Sequence, residues 1–292
     1  MAPASTSVPA SESDTSLRLR KLGVQHRREF LLLVAVLFLA TTLRIGWPTL
    51  TEFKFDEARL SALALELTQE GRLPLAGLPS SAGFSHSPIN VYLFAPAFLF
   101  GSSPLPPTIY SGLLGVLAVA LCWWLARRWA GSGTWGPWVT ALLLATSPWL
   151  VVFNRKVWQI ALVPVLTLVF VGFVISALVE GRRWHLAWAL VAYALLVQVH
   201  PSAISLALAL VLWFVVFRRQ VCAGPLALGI VLGMATTIPF LIYQVQEGWP
   251  LLAALQAMPE AVTDLEAVRL AAKAITGSDI HAQGASTVSY RS

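Results

Sequence analysis

From residue 30 to residue 244, apolar runs alternate with short polar punctuation. A bilayer core of ~30 Å takes about 20 apolar residues as a helix, at 1.5 Å each. On that measure the pattern predicts spans at 30–46, 108–126, 138–153, 157–179, 184–199, 202–217 and 224–244. The run 184–217 would be about 51 Å long as one helix. It divides at His200-Pro201, because proline disfavours helix in the residue before it. The run 88–100 reaches only about 20 Å as a helix, so it predicts an interfacial or re-entrant segment. The expected fold class is all-α: a polytopic transmembrane bundle of about seven spans. An outer loop, 47–107, carries short interfacial helices.

Charge orients this bundle. The basic clusters are Arg18/Arg20/Lys21/Arg27/Arg28, Arg127/Arg128, Arg182/Arg183 and Arg218/Arg219. Cytoplasmic flanks of membrane spans collect Lys and Arg. With all four clusters inside, the N-terminus is cytosolic, and Asp56, Glu57, His86, Arg155, Lys156 and His200 share the outer side. The expectation is a multi-pass integral protein of the plasma membrane. Residues 1–29 are expected as a disordered basic cytosolic tail, 30–244 as the membrane domain, and 245–292 as a non-cytosolic, incomplete segment with a surface helix at 251–275. The chain of 292 residues is 57% hydrophobic and 12% charged, with a net charge of +6. Loop orientation accounts for that charge, so no nucleic acid partner is expected. Cys122 and Cys222 are too few for a disulfide scaffold and read as free thiols.

Between Glu70 and Glu247 the only acidic residue is Glu180, in an inner loop. Carboxylate chemistry on the outer face therefore comes from 52–70 or from the tail. Leu60, Leu63, Ala64 and Leu67 recur at helical spacing, which predicts a short amphipathic helix on the membrane surface. Asp56 stands at its entrance, as N-cap, as catalytic carboxylate, or as both. Glu57 reads as a first-turn residue favoured by the helix dipole, or as a second catalyst. Arg155-Lys156 opposes the inside bias of cations; the pair suits a phosphate, or lipid headgroups. Trp158 and Gln159 are expected beside it. Arg44 reads as a snorkelling anchor near the end of the first span. His86 is a loop histidine with acid/base potential, and His200 a turn-capping or substrate-facing ring. No HExxH, paired CxxC, Walker loop or GxSxG is present, so those chemistries lack support.

Four short motifs in this order carry a resemblance: Phe55-Asp56-Glu57-Ala58, Gly71-Arg72-Leu73-Pro74, His86-Ser87-Pro88 with Tyr92, and Ala126-Arg127-Arg128. The stretch 147–155 resembles a second outer loop. Together they resemble the GT-C superfamily of membrane glycosyltransferases, of the protein O-mannosyltransferase and aminoarabinose-transferase type. The resemblance implies transfer of a sugar from a polyprenyl-phosphate donor to an acceptor glycan, lipid or protein on the non-cytosolic face. It places the catalytic carboxylate on Asp56, with Glu57 beside it. It places donor contacts on Arg155, Lys156, His86, Tyr92 and His200. No cofactor is implied with certainty. Some members carry an acid shortly after the second-loop arginine, but here Lys156-Val157-Trp158-Gln159 has none, which speaks against a divalent metal of that kind. Relatives usually continue with further spans and an outer domain. The rival readings are a transporter or flippase-like protein, and a non-catalytic assembly subunit.

Overall fold

A computed structural model describes residues 12–80, 83–130 and 135–257. Its helices are α1 (Glu12–Ile45), α2 (Phe55–Glu70), α3 (Ile89–Phe98), α4 (Leu105–Ala130), α5 (Gly136–Thr146), α6 (Pro148–Phe153), α7 (Val163–Leu178), α8 (His185–Val199), α9 (Leu206–Val216), α10 (Ala223–Ala235), α11 (Ile238–Gln246) and α12 (Pro250–Ala257). Short 3₁₀ turns, Gln159–Leu162 and Pro201–Ser205, lead into α7 and α9. Among the described residues there is no strand, only an isolated bridge between Pro79 and Ser85. The class is the expected one, an all-helical membrane fold.

Several boundaries differ from the sequence reading. The basic segment 12–29, expected as part of a disordered tail, is helical and continuous with the first apolar run. It holds no proline, and its Leu, Arg, Lys and Glu residues are good helix formers. The expected span 138–153 is broken into α5 and α6 at Ser147-Pro148, where proline both lacks an N–H and excludes helix from Ser147. By length and composition, two helices among the described residues are sufficient to cross a membrane, Leu105–Ala130 and Gln159–Leu178. The pair α10 and α11, bent by 49°, makes a third if counted as one. Ile89–Phe98, Gly136–Thr146, His185–Val199 and Pro201–Val216 are shorter apolar helices. The expected number of about seven therefore depends on helices that proline and turn residues cut short. The surface helix expected at 251–275 begins as α12; its remainder lies outside the described residues.

Burial explains the arrangement. α4 packs against α1, α5 and α7, while α8 packs between α7 and α10. Small residues set the second contact. A Cβ on Gly229 would lie 2.8 Å from Ala187 Cα, and one on Gly233 would lie 3.0 Å from Ala194 Cβ, so α10 approaches α8 through a small-xxx-small face. The outer surfaces of these helices are apolar: Phe38, Leu143, Leu208 and Val215 are all exposed, as lipid-facing residues are. α2 lies on α3, with Leu60, Leu63 and Ala64 buried against Val91, Phe94 and Phe98. The apolar face foreseen for this segment is the face that packs, but it packs on protein. α3 is about 15 Å long, half a bilayer, and rests against α2, α4 and α8.

Candidate functional site

The site is built where α1 and α5 end and α2 begins. Pro148 ends α5 abruptly, leaving carbonyls of its last turn without helical partners. Arg44, in the last turn of α1, supplies them: Nη1 donates to Ala145 O (2.8 Å) and Nη2 to Leu144 O (3.0 Å). Its Nε reaches Asn154 Oδ1 at 3.4 Å. Arg44 is 1% exposed, so it is a buried strut and not the expected snorkelling anchor. Gly115 of α4 makes room for it. A Cβ there would lie 2.5 Å from Asn154 Oδ1 and 2.6 Å from Arg44 Nε.

Asn154 opens the loop that carries the two outer cations. Arg155 turns back to α1: Nη1 donates to Leu43 O (2.9 Å), and Nη2 to Trp47 O (2.7 Å) and Leu50 O (3.4 Å). Most of its donors are thus spent on the C-terminal end of α1 and the turn after it, where a cation also suits the helix dipole. The Arg155 carbonyl accepts from Thr51 Oγ1, and the Lys156 carbonyl from Ser111 Oγ of α4 (2.6 Å). The Lys156 ammonium pairs with Glu52, and Lys54 pairs with the other oxygen of the same carboxylate. These two lysines, Lys156 first, hold the Glu52 carboxyl below the usual carboxylate range.

At the start of α2, the cap lies two residues before the expected Asp56. The N-cap is Lys54, whose backbone N–H donates to Glu57 Oε2 at 3.0 Å. Glu57 is buried, 4% exposed, and closes the helix end. Asp56 is left uninvolved in capping, exposed in the first turn. Gly71, at φ 67°, ends the helix in the left-handed conformation that glycine adopts without strain.

Asp56, Glu57, Arg155 and Lys156 line one cavity of about 630 Å³, together with Glu52 and Lys54. Its apolar wall is an aromatic file. Trp149 and Phe153 are stacked at 5.3 Å, and Phe153 meets Trp158 at 5.5 Å. The cavity thus combines two lysines, two carboxylates in the first turn of a helix, and an aromatic flank. Gln159, expected beside the cations, is instead buried and accepts from Asn90 Nδ2 (2.9 Å), tying α3 to the turn before α7.

The remaining candidates lie apart from this lining. His86 is half-buried, edge-on to Phe84 at 5.7 Å. Burial first, then His200, push its imidazole below its ordinary pKa, while Asp56 opposes them. His86 therefore lies within electrostatic reach of both Asp56 and His200. His200 accepts from the Ser202 N–H at 3.3 Å, capping the 3₁₀ turn. The Tyr92 hydroxyl donates to the Pro74 carbonyl and holds the chain after α2. The hydroxyl expected to face substrate is thus engaged in the scaffold. Next to it, Ser87 Oγ donates to Gln198 Oε1 (2.9 Å), and Gln198 Nε2 donates to Thr236 Oγ1 (2.7 Å), so the outer loop is tied through α8 to the end of α10. Among the described residues, no group of three or more His, Cys, Asp and Glu side chains converges where a metal ion could sit.

The residues that sequence reasoning missed are Glu52, Lys54 and the strut role of Arg44. The charged pair Glu52/Lys54 just before Asp56 was the available signal.

No family model and no curated protein sequence matches the chain. Among solved structures, the crystal structure of ArnT from Cupriavidus metallidurans bound to undecaprenyl phosphate is similar at a TM-score of 0.56 and 20% identity. The match covers 75% of this chain and 41% of that one, so the chain spans less than half the length of that protein. With the membrane helices, the interrupted third apolar run and the loop-borne cavity already described, this likeness is one of fold: the chain shares the helical membrane fold of that structure.

Proposed function

We propose that this chain handles a lipid-linked sugar donor for a membrane glycosyltransferase, in the cavity beneath Asp56. The reading is supported most by the meeting of Asp56 with Lys54 and Lys156 around one space flanked by Trp149, Phe153 and Trp158. The bound undecaprenyl phosphate of the similar ArnT structure agrees with a polyprenyl-phosphate carrier. A donor phosphate takes the place of the Glu52 carboxylate between Lys54 and Lys156, since both ammonium groups are already directed at an anion. Arg155 acts as a positioning residue, holding the end of α1 against this loop. Asp56 accepts the proton of the acceptor hydroxyl as that oxygen bonds to the anomeric carbon. The bond between anomeric carbon and phosphate oxygen breaks, and the carrier leaves as polyprenyl phosphate with its charge stabilised by the lysines. The aromatic file receives the first carrier isoprenes or the sugar face. The side we propose is the non-cytosolic one, a reading supported by Asp56 lying at the bundle end opposite Arg127/Arg128 and Arg182/Arg183.

The test is transfer from a polyprenyl-phosphate sugar in reconstituted membranes. Asp56→Asn is expected to lower kcat by roughly 10²–10⁴, the usual contribution of a general base, while binding of polyprenyl phosphate is unchanged. Transfer at the wild-type rate by Asp56→Asn overturns the assignment of Asp56. Failure of the wild-type chain to bind polyprenyl phosphate overturns the donor.

A further inference from the structure

A second cavity of about 390 Å³ opens at the far end of the bundle, between α4 and α7. Ser111 touches the loop of the first cavity, and Arg128 lies 17 residues further along α4, about 26 Å away along the helix axis. The two cavities are therefore separate. The walls of the second are α4 and α7, which among the described residues belong to the two helices long and apolar enough to cross a membrane. Trp124, Gly172 and Phe173 form its apolar part, and Arg128, Arg182 and His185 its polar rim. Gly172 keeps the floor low, with Leu125 Cδ2 3.1 Å from where a Cβ would stand. Among the described residues, no carboxylate lines it.

The rim is also pre-arranged. Glu180, just outside, accepts from Arg128 Nε (2.7 Å) and Nη2 (2.5 Å) and fixes that guanidinium 5.6 Å above the Trp124 ring. His185 Nδ1 is 2.7 Å from Ser176 Oγ, and its ring lies edge-on to Phe173 at 5.4 Å. Arg182 approaches Glu180 only at 3.5 Å, and its side chain is 57% exposed. Of the two rim arginines it is the more weakly held and the more exposed, so it is the one that can turn from Glu180 to a ligand. Arg127 and Arg183 stand next in the chain; Arg127 pairs with Glu29 (2.7 Å), and Arg183 adds positive field.

We propose that this cavity binds one anionic phospholipid, its phosphate on Arg182 and His185 and one acyl chain in the apolar groove over Gly172. A basic pocket between membrane helices, at the interface depth marked by tryptophans, is the physical form of such a site. The charge selects an anion, and the apolar floor selects one that carries a chain. A free phosphate offers nothing to Trp124 or Phe173. This site is independent of the donor cavity and of the glycosyltransferase reading.

The experiment is thermal unfolding of the purified full chain in detergent, titrated with dioleoylphosphatidylglycerol, dioleoylphosphatidylcholine or inorganic phosphate. Phosphatidylglycerol is expected to raise Tm saturably, and the other two to leave it unchanged. Arg182→Gln, at an exposed position, is expected to raise the half-saturating phosphatidylglycerol concentration at least tenfold. Gly172→Leu fills the groove at unchanged charge and is expected to do the same. Arg218→Ala/Arg219→Ala removes two cations outside the cavity and is expected to change nothing. Equal stabilisation by phosphatidylcholine, saturation by phosphate alone, an unaltered titration for Arg182→Gln, or an equal loss in the Arg218/Arg219 variant each overturns the proposal. Should Gly172→Leu not fold, the Arg182→Gln titration decides.

Discussion

Arg44 and His86 show how a single side chain acts here. Among the described residues Arg44 has no carboxylate partner; the stranded carbonyls of α5 are its counter-dipole. Arg44→Met keeps the volume and removes the donors. Each carbonyl left buried and unpaired costs about 1–3 kcal/mol, so Arg44→Met is expected to lower Tm in detergent markedly. An unchanged Tm would show that water replaces the guanidinium. His86 carries a pH dependence whose sign follows from its environment. Its folded-state pKa lies below the ordinary 6.5. Above about pH 6.5 the ring is neutral in both states, and the fold loses nothing. As pH falls from there through the lowered value, the unfolded chain takes up the proton first, and stability declines. His86→Gln is therefore expected to flatten the Tm–pH curve below pH 6.5. Identical curves for the two proteins would refute this.

At the scale of elements, two devices position the cavity. Pro148 splits one apolar run into α5 and α6, which lets the 154–158 loop dip toward the end of α1. The hydrophobic period of 138–153 foretold a helix, while the break came from Ser147-Pro148, a dipeptide legible in the sequence but outweighed there by the length of the run. The second device is close approach. Gly229 and Gly233 bring α10 against α8 and thereby place Thr236 on Gln198. Gly229→Leu is expected to cost about 1–3 kcal/mol as an overpacked contact and to loosen the Ser87–Gln198–Thr236 chain. Hydrogen exchange at 85–90 that is no faster than in the wild-type chain would show the loop to be independent of α10. The pairing of these glycines with Ala187 and Ala194 could not be read from spacing, because a small-residue stripe does not name its partner.

At the scale of the whole molecule, the orientation rests on charge asymmetry. Arg127/Arg128 and Arg182/Arg183 gather around Glu180 and Glu29 at one end, and the cavity with Asp56 lies at the other. Single cysteines at positions 56, 86 and 155, in a background lacking Cys122 and Cys222, are expected to react together with a membrane-impermeant maleimide from the non-cytosolic side. A cysteine at 183 is expected to react only from the cytosolic side. Labelling of 56 and 155 from opposite sides would dismantle the common cavity and the transfer reaction built on it.

The amino-acid sequence by itself determined the class of the molecule, the failure of 88–100 to reach across a bilayer, and the gathering of Asp56 with Arg155 and Lys156. Those follow from hydropathy length and charge placement, which act locally. Only the tertiary structure decided which charges are spent and which are available. Glu57 rather than Asp56 closes α2, Arg155 serves the end of α1, Tyr92 serves Pro74, and Glu52 holds both lysines. Each outcome depends on which carbonyl, ammonium or carboxylate lies within about 3 Å, and a linear pattern carries no such distance.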